Sequence, residues 1–374
     1  MSSEPENSPR RGRAAKPTRV KAARTKPATL ADVAAMAGVV PMTASRALNR
    51  SGYVSADVRE RVAAAARALK YRPNMLARQL RGSRLHAIGI MLPDIANPYA
   101  AELMKGITPV LHAAGFTGFI ATASQSVEEE SAAIQAFVDH RIDGMLVATR
   151  GTQMGDEVLK GISANGVPVV TIGRPVAIPA IDCVTADHYQ GSFDVVSHLI
   201  AMGHRRIGFI GASAADTTHL RRYNGYLAAL QAAGIAPNPA YAVRMTAGPA
   251  FATEEDGFLG LLALRKLAEP PTAIFARNDF AAVGALRAAH TLHLRVPEDV
   301  AIAGFDNIPI AAYQTPPLTT VDQPIVEQGR IAAELLLKRI EATNSRRQTV
   351  QLPCKLVIRE STDASKKGAV AAAP

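Results

Sequence analysis

The side chains best equipped for chemistry in this 374-residue chain are arginines and lysines, and they are unevenly placed. Residues 1–85 hold 18 of them against 5 Asp and Glu, whereas the remainder carries 24 against 27. A strongly basic head on a near-neutral body is the footprint of a segment that meets a polyanion, joined to a part with another task. Within that head, AGVVPMTASRALNR, residues 37–50, has the texture of the middle of a DNA-reading unit. It sets Val40, which has no capping oxygen, just before Pro41 and Met42 at a possible helix start.

Residues for catalysis do not assemble in the sequence. GFIGAS is glycine-rich but lacks the G-x-G-x-x-G spacing after a first strand, and no G-x-S-x-G, H-E-x-x-H or phosphate-loop run occurs. The nine histidines, His204 among them, show no metal-ligand spacing with carboxylates or cysteines. No catalytic residue, cofactor or metal site is expected. Two cysteines, Cys183 and Cys354, are too few for a disulfide framework, which points to a reducing cytoplasm. No apolar run of about 18 residues and no secretory signal is present, so a soluble, unexported protein without membrane contact is expected.

These residues must be positioned by more than one core, because the chain exceeds the usual domain length of about 100–200 residues. Residues 1–27 hold almost no large apolar side chain and read as a disordered basic arm, either a solvated tail or a source of non-specific phosphate attraction. Residues 28–72 read as three short helices. Leu30, Val33, Ala34 and Ala37 share one face, Gly38 breaks the chain, a second helix starts near Pro41, and Ser55 caps a third. A tight glycine turn between the first two is helix-turn-helix geometry. Residues 73–85 form a hinge: Pro73 and Gly82 bracket barely two turns in which Arg78 and Arg81 stand among Met75, Leu76, Ala77 and Leu80. So short a helix is marginal alone in water, and the segment is either a linker or a piece that folds on DNA.

From Ile88 onward apolar strands alternate with helices: 88–93, 118–122, 144–149, 168–173, 207–212, 241–245, 273–276 and 300–306. Strands apolar on both faces belong in parallel sheets covered by helices, and eight such units predict two doubly wound lobes over 86–362, split near 175–185. Such sheets bind ligands at the carboxyl ends of their strands, which makes the interlobe cleft the expected small-molecule site. Residues 363–374 read as a disordered tail.

The runs TLADVAAMAGVVPMTASRALN, VSADVRERVAAAARALKYRPNMLARQLRG and AIGIMLPDIANPYAAELMKGI, followed by FARNDFAAVGAL, VPEDVAIAGFDNIP and PPLTTVDQP, resemble the lactose-repressor (LacI/GalR) family of bacterial transcriptional regulators over about residues 28–362. The resemblance implies an all-α helix-turn-helix head, a hinge helix and an α/β body of two lobes similar to periplasmic sugar-binding proteins, acting as a homodimer. It assigns the second helix to the major groove, with operator discrimination at Pro41 and Met42 and Arg46 one turn on. Arg46 can grip guanine O6 and N7 with both arms or bind a phosphate. Thr43, Ser45 and Asn49 have the size and donors for phosphate oxygens. The hinge leucine falls on Leu80, one turn after Ala77, where a pair in a dimer would pry open a central base step.

In the body the resemblance places sugar-hydroxyl ligands at Arg222 and Asp306, with Asn278 also in the cleft and Tyr99 where the family often presents an aromatic. Asn278 can equally be an N-cap, Asp306 a turn cap, and Tyr99 ordinary packing. The sequence departs from the family at Gly173, where an acid is common, and follows it with Arg174. Arg174 either faces solvent or joins Arg222 in a cleft that leans toward a sugar acid or sugar phosphate. The expected activity is operator binding to pseudo-palindromic double-stranded DNA, controlled by a small sugar-like effector, most simply as a repressor. The rival is a sugar-binding protein without regulatory DNA binding, against which the basic head and missing export signal both count. The C-terminal TDASKKGAVAAAP lacks leucine heptads, so a dimer rather than a tetramer is expected.

Overall fold

The computed structural model describes residues 28–49, 52–71, 85–92, 94–122, 127–148, 153–212, 217–244, 253–342 and 346–366. The basic arm, the hinge positions Ala77 and Leu80, and the last residues of the tail lie outside the described residues. The chain divides into two compact units, Met1–Gly82 and Ser83–Pro374.

In the first unit, helix α1 (Leu30–Ala37) starts at a capping box: Thr29 Oγ1 accepts from Asp32 N, and the Thr29 N–H donates to the Asp32 carboxylate at 2.8 Å. The Thr29 N–H and the Thr29 hydroxyl, which also donates to this carboxylate at 2.8 Å, hold the Asp32 carboxyl below its ordinary pKa. Gly38 ends the helix at φ +66°, a left-handed conformation that glycine adopts without a Cβ penalty. Helix α2 (Pro41–Asn49) follows at once. Val40 has no side-chain oxygen to cap it, but its carbonyl takes the N–H groups of Thr43 and Ala44 at 2.9 and 3.1 Å. Pro41, at the first helical position, has no N–H to leave unpaired. Helix α3 (Ala56–Ala68) is capped by Ser55. The three helices meet through Val33, Ala34, Ala37, Ala44, Ala47, Val62 and Ala65, side chains small enough for short helices to approach closely.

The second unit contains two parallel sheets. Strands β1 (Ala87–Leu92), β2 (Thr117–Thr122), β3 (Gly144–Val147), β4 (Val169–Ile172), β5 (Asp182–Ala186) and β11 (Thr349–Leu352) run in the order β11-β5-β4-β3-β1-β2, every pair parallel. Strand alternation sends Ile88, Ile90, Leu92, Leu146, Val170 and Ile172 to one face, under helices α4 (Pro98–Ala113) and α11 (Ile325–Glu341). Met91, Met145, Val147 and Val169 face the other way, under α5 (Val127–Asp139) and α6 (Gln153–Ala164). Gly106 lets α4 and α11 touch: a Cβ there would strike the Val326 carbonyl.

The second sheet has β6 (Ile207–Ala212), β7 (Ala242–Arg244), β8 (Ala273–Ala276) and β9 (Ala301–Ala303) in the order β7-β6-β8-β9, again all parallel. Helices α7 (His188–Ala201) and α8 (Thr217–Ala232) pack on one face, and α9 (Glu254–Arg265) and α10 (Asp279–Thr291) on the other. A short antiparallel pair, β10 (Thr320–Asp322) with β12 (Lys355–Val357), completes this lobe.

Two features depart from the sequence expectations. A single split near 175–185 is too simple, because the chain crosses between lobes three times: β5 to α7, β10 to α11 and β11 to β12. What brings the C-terminal segment back is polar as well as apolar. Arg339 on α11 grips Asp182 of β5 with Nε and Nη2 at 2.6 and 2.7 Å, and the same carboxylate accepts from Gln348 N at 2.7 Å. Strand β2, whose apolar run predicts burial on both faces, is instead an edge strand with Phe119 and Ile120 about half exposed.

Candidate functional site

The exposed side of α2 carries the chemistry of the head. Met42, Arg46 and Asn49 recur at the i, i+4, i+7 spacing that puts them on one face, and all three are exposed, Met42 at 65%. Ala44 and Ala47 occupy the opposite, buried face. Pro41 is exposed at the helix entrance, and Thr43 and Ser45 are half-buried beside it. Asn49 donates to Ser45 Oγ at 3.3 Å. Among the described residues nothing pairs with the Arg46 guanidinium, so both of its arms are available outward. The alkyl part of Arg46 is bounded by Gly52, where a Cβ would stand 3.7 Å from its Cδ. A thioether, a fork of five donors and an amide on one convex helix face can offer apolar contact, bidentate donation and adaptable hydrogen bonding to a nucleic-acid groove.

The second site lies where the lobes join. Arg222, on α8, is 4% exposed and held from three sides. Its Nη2 donates to Asp306 Oδ1 at 3.0 Å, its Nη1 donates to the Arg277 carbonyl, and its Nε donates to His188 Nδ1 at 3.4 Å. The Phe305 ring lies beneath it, 3.8 Å from Cζ to the ring centroid. Asp306 follows Phe305 just beyond β9 with φ +122°, a strained conformation for a residue with a Cβ, and strain of this kind concentrates at ligand sites. Gln323, at the crossing from β10 to α11, also donates to Asp306 Oδ1 at 2.6 Å, and Gln328 donates to Gln323 Oε1 at 3.4 Å. One carboxylate therefore gathers donors from α8 and from an interlobe crossing.

Tyr99, near the start of α4 in the other lobe, reaches the same cluster. Its hydroxyl is shielded from water and close enough to Asp306 and Arg222 to feel both charges; the shielding and the Asp306 charge push the phenol pKa up. Gly173, at φ +84°, leaves room beside that hydroxyl, where a Cβ would stand 3.7 Å away. Asp279, fully buried, accepts from Thr320 Oγ1 at 2.5 Å and Ile308 N at 2.9 Å. Burial first, and the neighbouring Asp306 second, hold the Asp279 carboxyl well above the usual carboxylate range.

The sequence-derived cleft residues therefore separate. Arg222 and Asp306 meet in one cluster, and Tyr99 stands near enough to feel its charges. Asn278 stands at the N-terminus of α10 and caps it, Oδ1 accepting from Ala281 N at 2.9 Å. Arg174 is 1% exposed and neither faces solvent nor brings an unpaired charge: its Nη1 lies 2.5 Å from Asp156 of α6, while its Nε and Nη2 are buried with no hydrogen-bond partner among the described residues. Both guanidiniums thus come with a carboxylate, and a third buried guanidinium, that of Arg277, also stands near enough to Asp306 to act on its charge. Sequence reasoning missed His188, Phe305 and Gln323. Only the last had a visible signal, as the polar residue in VDQP beside a predicted strand end.

Among the described residues no cluster of three or more His, Cys, Asp or Glu could hold a metal ion, and no helix is long and apolar enough to cross a membrane. A helix-turn-helix head with donors on its outward face, followed by two parallel α/β lobes, defines the class of DNA-binding regulators with a periplasmic-binding-protein-like body. Residues 29–74 match the family described as bacterial regulatory proteins, lacI family, and residues 196–362 match a periplasmic binding protein-like domain. The transcriptional repressor CytR of Escherichia coli is 34% identical over 337 residues, covering 90% of this chain and 97% of CytR. The Lac repressor dimer bound to operator and the anti-inducer ONPF superposes with a TM-score of 0.79 at 28% identity, covering 90% of this chain and 99% of that one. The regulator CelR in complex with cellobiose does so at 0.68 and 31%, covering 89% and 99%. The chain belongs to the LacI family of bacterial regulatory proteins, whose members are transcription regulators and not enzymes.

Proposed function

We propose that this protein is a cytoplasmic repressor that binds a pseudo-palindromic operator as a homodimer and is switched by a small sugar-like effector, a sugar, sugar acid or sugar phosphate, bound between its lobes. The observation that carries the effector part is the Arg222–Asp306–Gln323 cluster: a guanidinium fork and a carboxylate, buried together at an interlobe crossing, can fix vicinal hydroxyls by donating and accepting at once. The CelR complex with cellobiose supports a saccharide in a body of this fold.

The dimer is supported by two surfaces that the second unit leaves uncovered: the β2 edge with Phe119 and Ile120, and a groove between α9, α10 and the 309–315 turn, edged by Phe258, Leu286 and Tyr313. Each copy presents one α2, so a dimer reads two half-sites. Ala77 and Leu80 of the hinge add minor-groove contact. Effector held at the join of the lobes biases one lobe arrangement, and a coupling of about 1–3 kcal/mol changes operator affinity roughly 5–150-fold.

Selection of bound duplexes from a random pool by the full chain tests the DNA part; enrichment of a two-fold symmetric site is expected, and no enrichment overturns it. Deleting residues 1–85 abolishes DNA binding and preserves saccharide binding. Leu80→Ala weakens operator binding far more than binding to random duplex; equal loss removes the hinge contribution.

A further inference from the structure

We infer that His188 is the positioning residue of the effector cleft, fixing the Arg222 fork by accepting its Nε–H; this rests on Arg222 being an effector ligand. His188 is the first residue of α7, immediately after the crossing from β5, and is 1% exposed. Its Nδ1 faces Arg222 Nε at 3.4 Å, and its ring lies 5.7 Å from the Phe305 ring that also supports the guanidinium. An arginine fork is planar, so three fixed contacts, to His188, the Arg277 carbonyl and Asp306, set its orientation as well as its place. What remains is one N–H on each Nη, aimed by those contacts. The Nδ1 atom can accept only in the neutral ring with the proton on Nε2.

A crossing residue that orients the main ligand couples lobe position to binding geometry directly. Displacing α7 relative to β5 moves Nδ1, and Arg222 turns with it or loses the bond. Protonating His188 has the same effect at fixed backbone, because Nδ1 becomes a donor facing a cation. The charged and titratable groups of this neighbourhood are Asp187 at the α7 N-cap, Arg222 on α8, Arg277 after β8, Asp306 after β9, Tyr99 on α4 and Cys354 at the β11–β12 crossing. Arg222 donates to Nδ1.

Two measurements on the full chain test this. In ¹⁵N-histidine spectra at pH 7.5, with His188→Asn identifying the resonance, His188 shows the Nε2–H tautomer; in Arg222→Leu, which removes the donor to Nδ1, the balance shifts toward the Nδ1–H tautomer. An identical tautomer balance in the two proteins overturns the contact. Calorimetric titration with cellobiose at pH 7.5 then compares wild type, His188→Ala and His188→Asn. His188→Ala binds about tenfold more weakly than wild type. His188→Asn, whose Oδ1 stands where Nδ1 does, keeps wild-type affinity. Equal affinity of wild type and His188→Ala overturns positioning, as does failure of His188→Asn to restore it. If wild type does not bind cellobiose, that saccharide is removed as effector, and the spectra alone decide whether His188 and Arg222 are coupled.

Discussion

Arg222 and Asp306 are partners in charge at the join of the two lobes: Nη2 lies 3.0 Å from Oδ1, and both side chains are more than nine-tenths buried. A buried pair stabilises less than its Coulomb energy implies, but breaking it strands a charge in low dielectric, at about 3–5 kcal/mol. Arg222→Leu should lower unfolding stability by that amount and abolish effector response. The double variant Arg222→Leu/Asp306→Leu should recover most of the stability and none of the response. Urea unfolding and effector titration read the two separately; a double variant that still responds places the effector elsewhere.

The exposed position of Met42 makes a different expectation. Met42→Gln, which gives that face a donor and an acceptor, should change which operator is preferred, by about 1–3 kcal/mol between competing bases. Pro41→Ser should leave preference unchanged and alter only the start of α2, by about 1 kcal/mol or less. Competitive selection with both variants checks this. Unchanged preference in Met42→Gln means that the position serves docking without base reading.

Asp279 predicts a pH dependence. A buried acid whose folded pKa lies above its unfolded value of about 3.9 binds more protons folded than unfolded between the two, so stability falls as pH rises through that window. Asp279→Asn imitates the neutral acid: Oδ1 can accept from Ile308 N while Nδ2 donates to Thr320 Oγ1. Melting curves from pH 4 upward should show the wild type losing stability relative to Asp279→Asn. Parallel curves would mean that Asp279 ionises normally in the fold.

Gly38 is a cleaner test of the head. The nearest atom to a Cβ there is 3.9 Å away, on Arg61, so Gly38→Ala meets no clash and pays only for φ +66°. A loss of about 1–2 kcal/mol in the thermal unfolding of the head is expected, with effector binding unchanged. An unaltered melting point would mean that the turn between α1 and α2 relaxes to another conformation.

What the sequence determined by itself was whatever is written in local spacing. The cap at Ser55, the turn at Gly38, the alternation that fills two parallel sheets and the family's runs of residues are all contiguous, and each shows in a window of a few residues. Asp306 was legible for the same reason, lying within the run VPEDVAIAGFDNIP, whereas Arg222 lies outside the quoted runs and was placed by the resemblance alone. Tertiary structure alone decided what stands beside them. His188 meets Arg222 across 34 positions, Gln323 meets Asp306 across 17, and Arg339 meets Asp182 across 157. None of these pairings has a local signature, because a hydrogen bond depends on where the chain returns and not on where it has been. The same holds for Arg174: its partner, Asp156, comes from a helix whose packing sets the distance, so a residue that reads as a free cation in sequence is buried and paired in the fold.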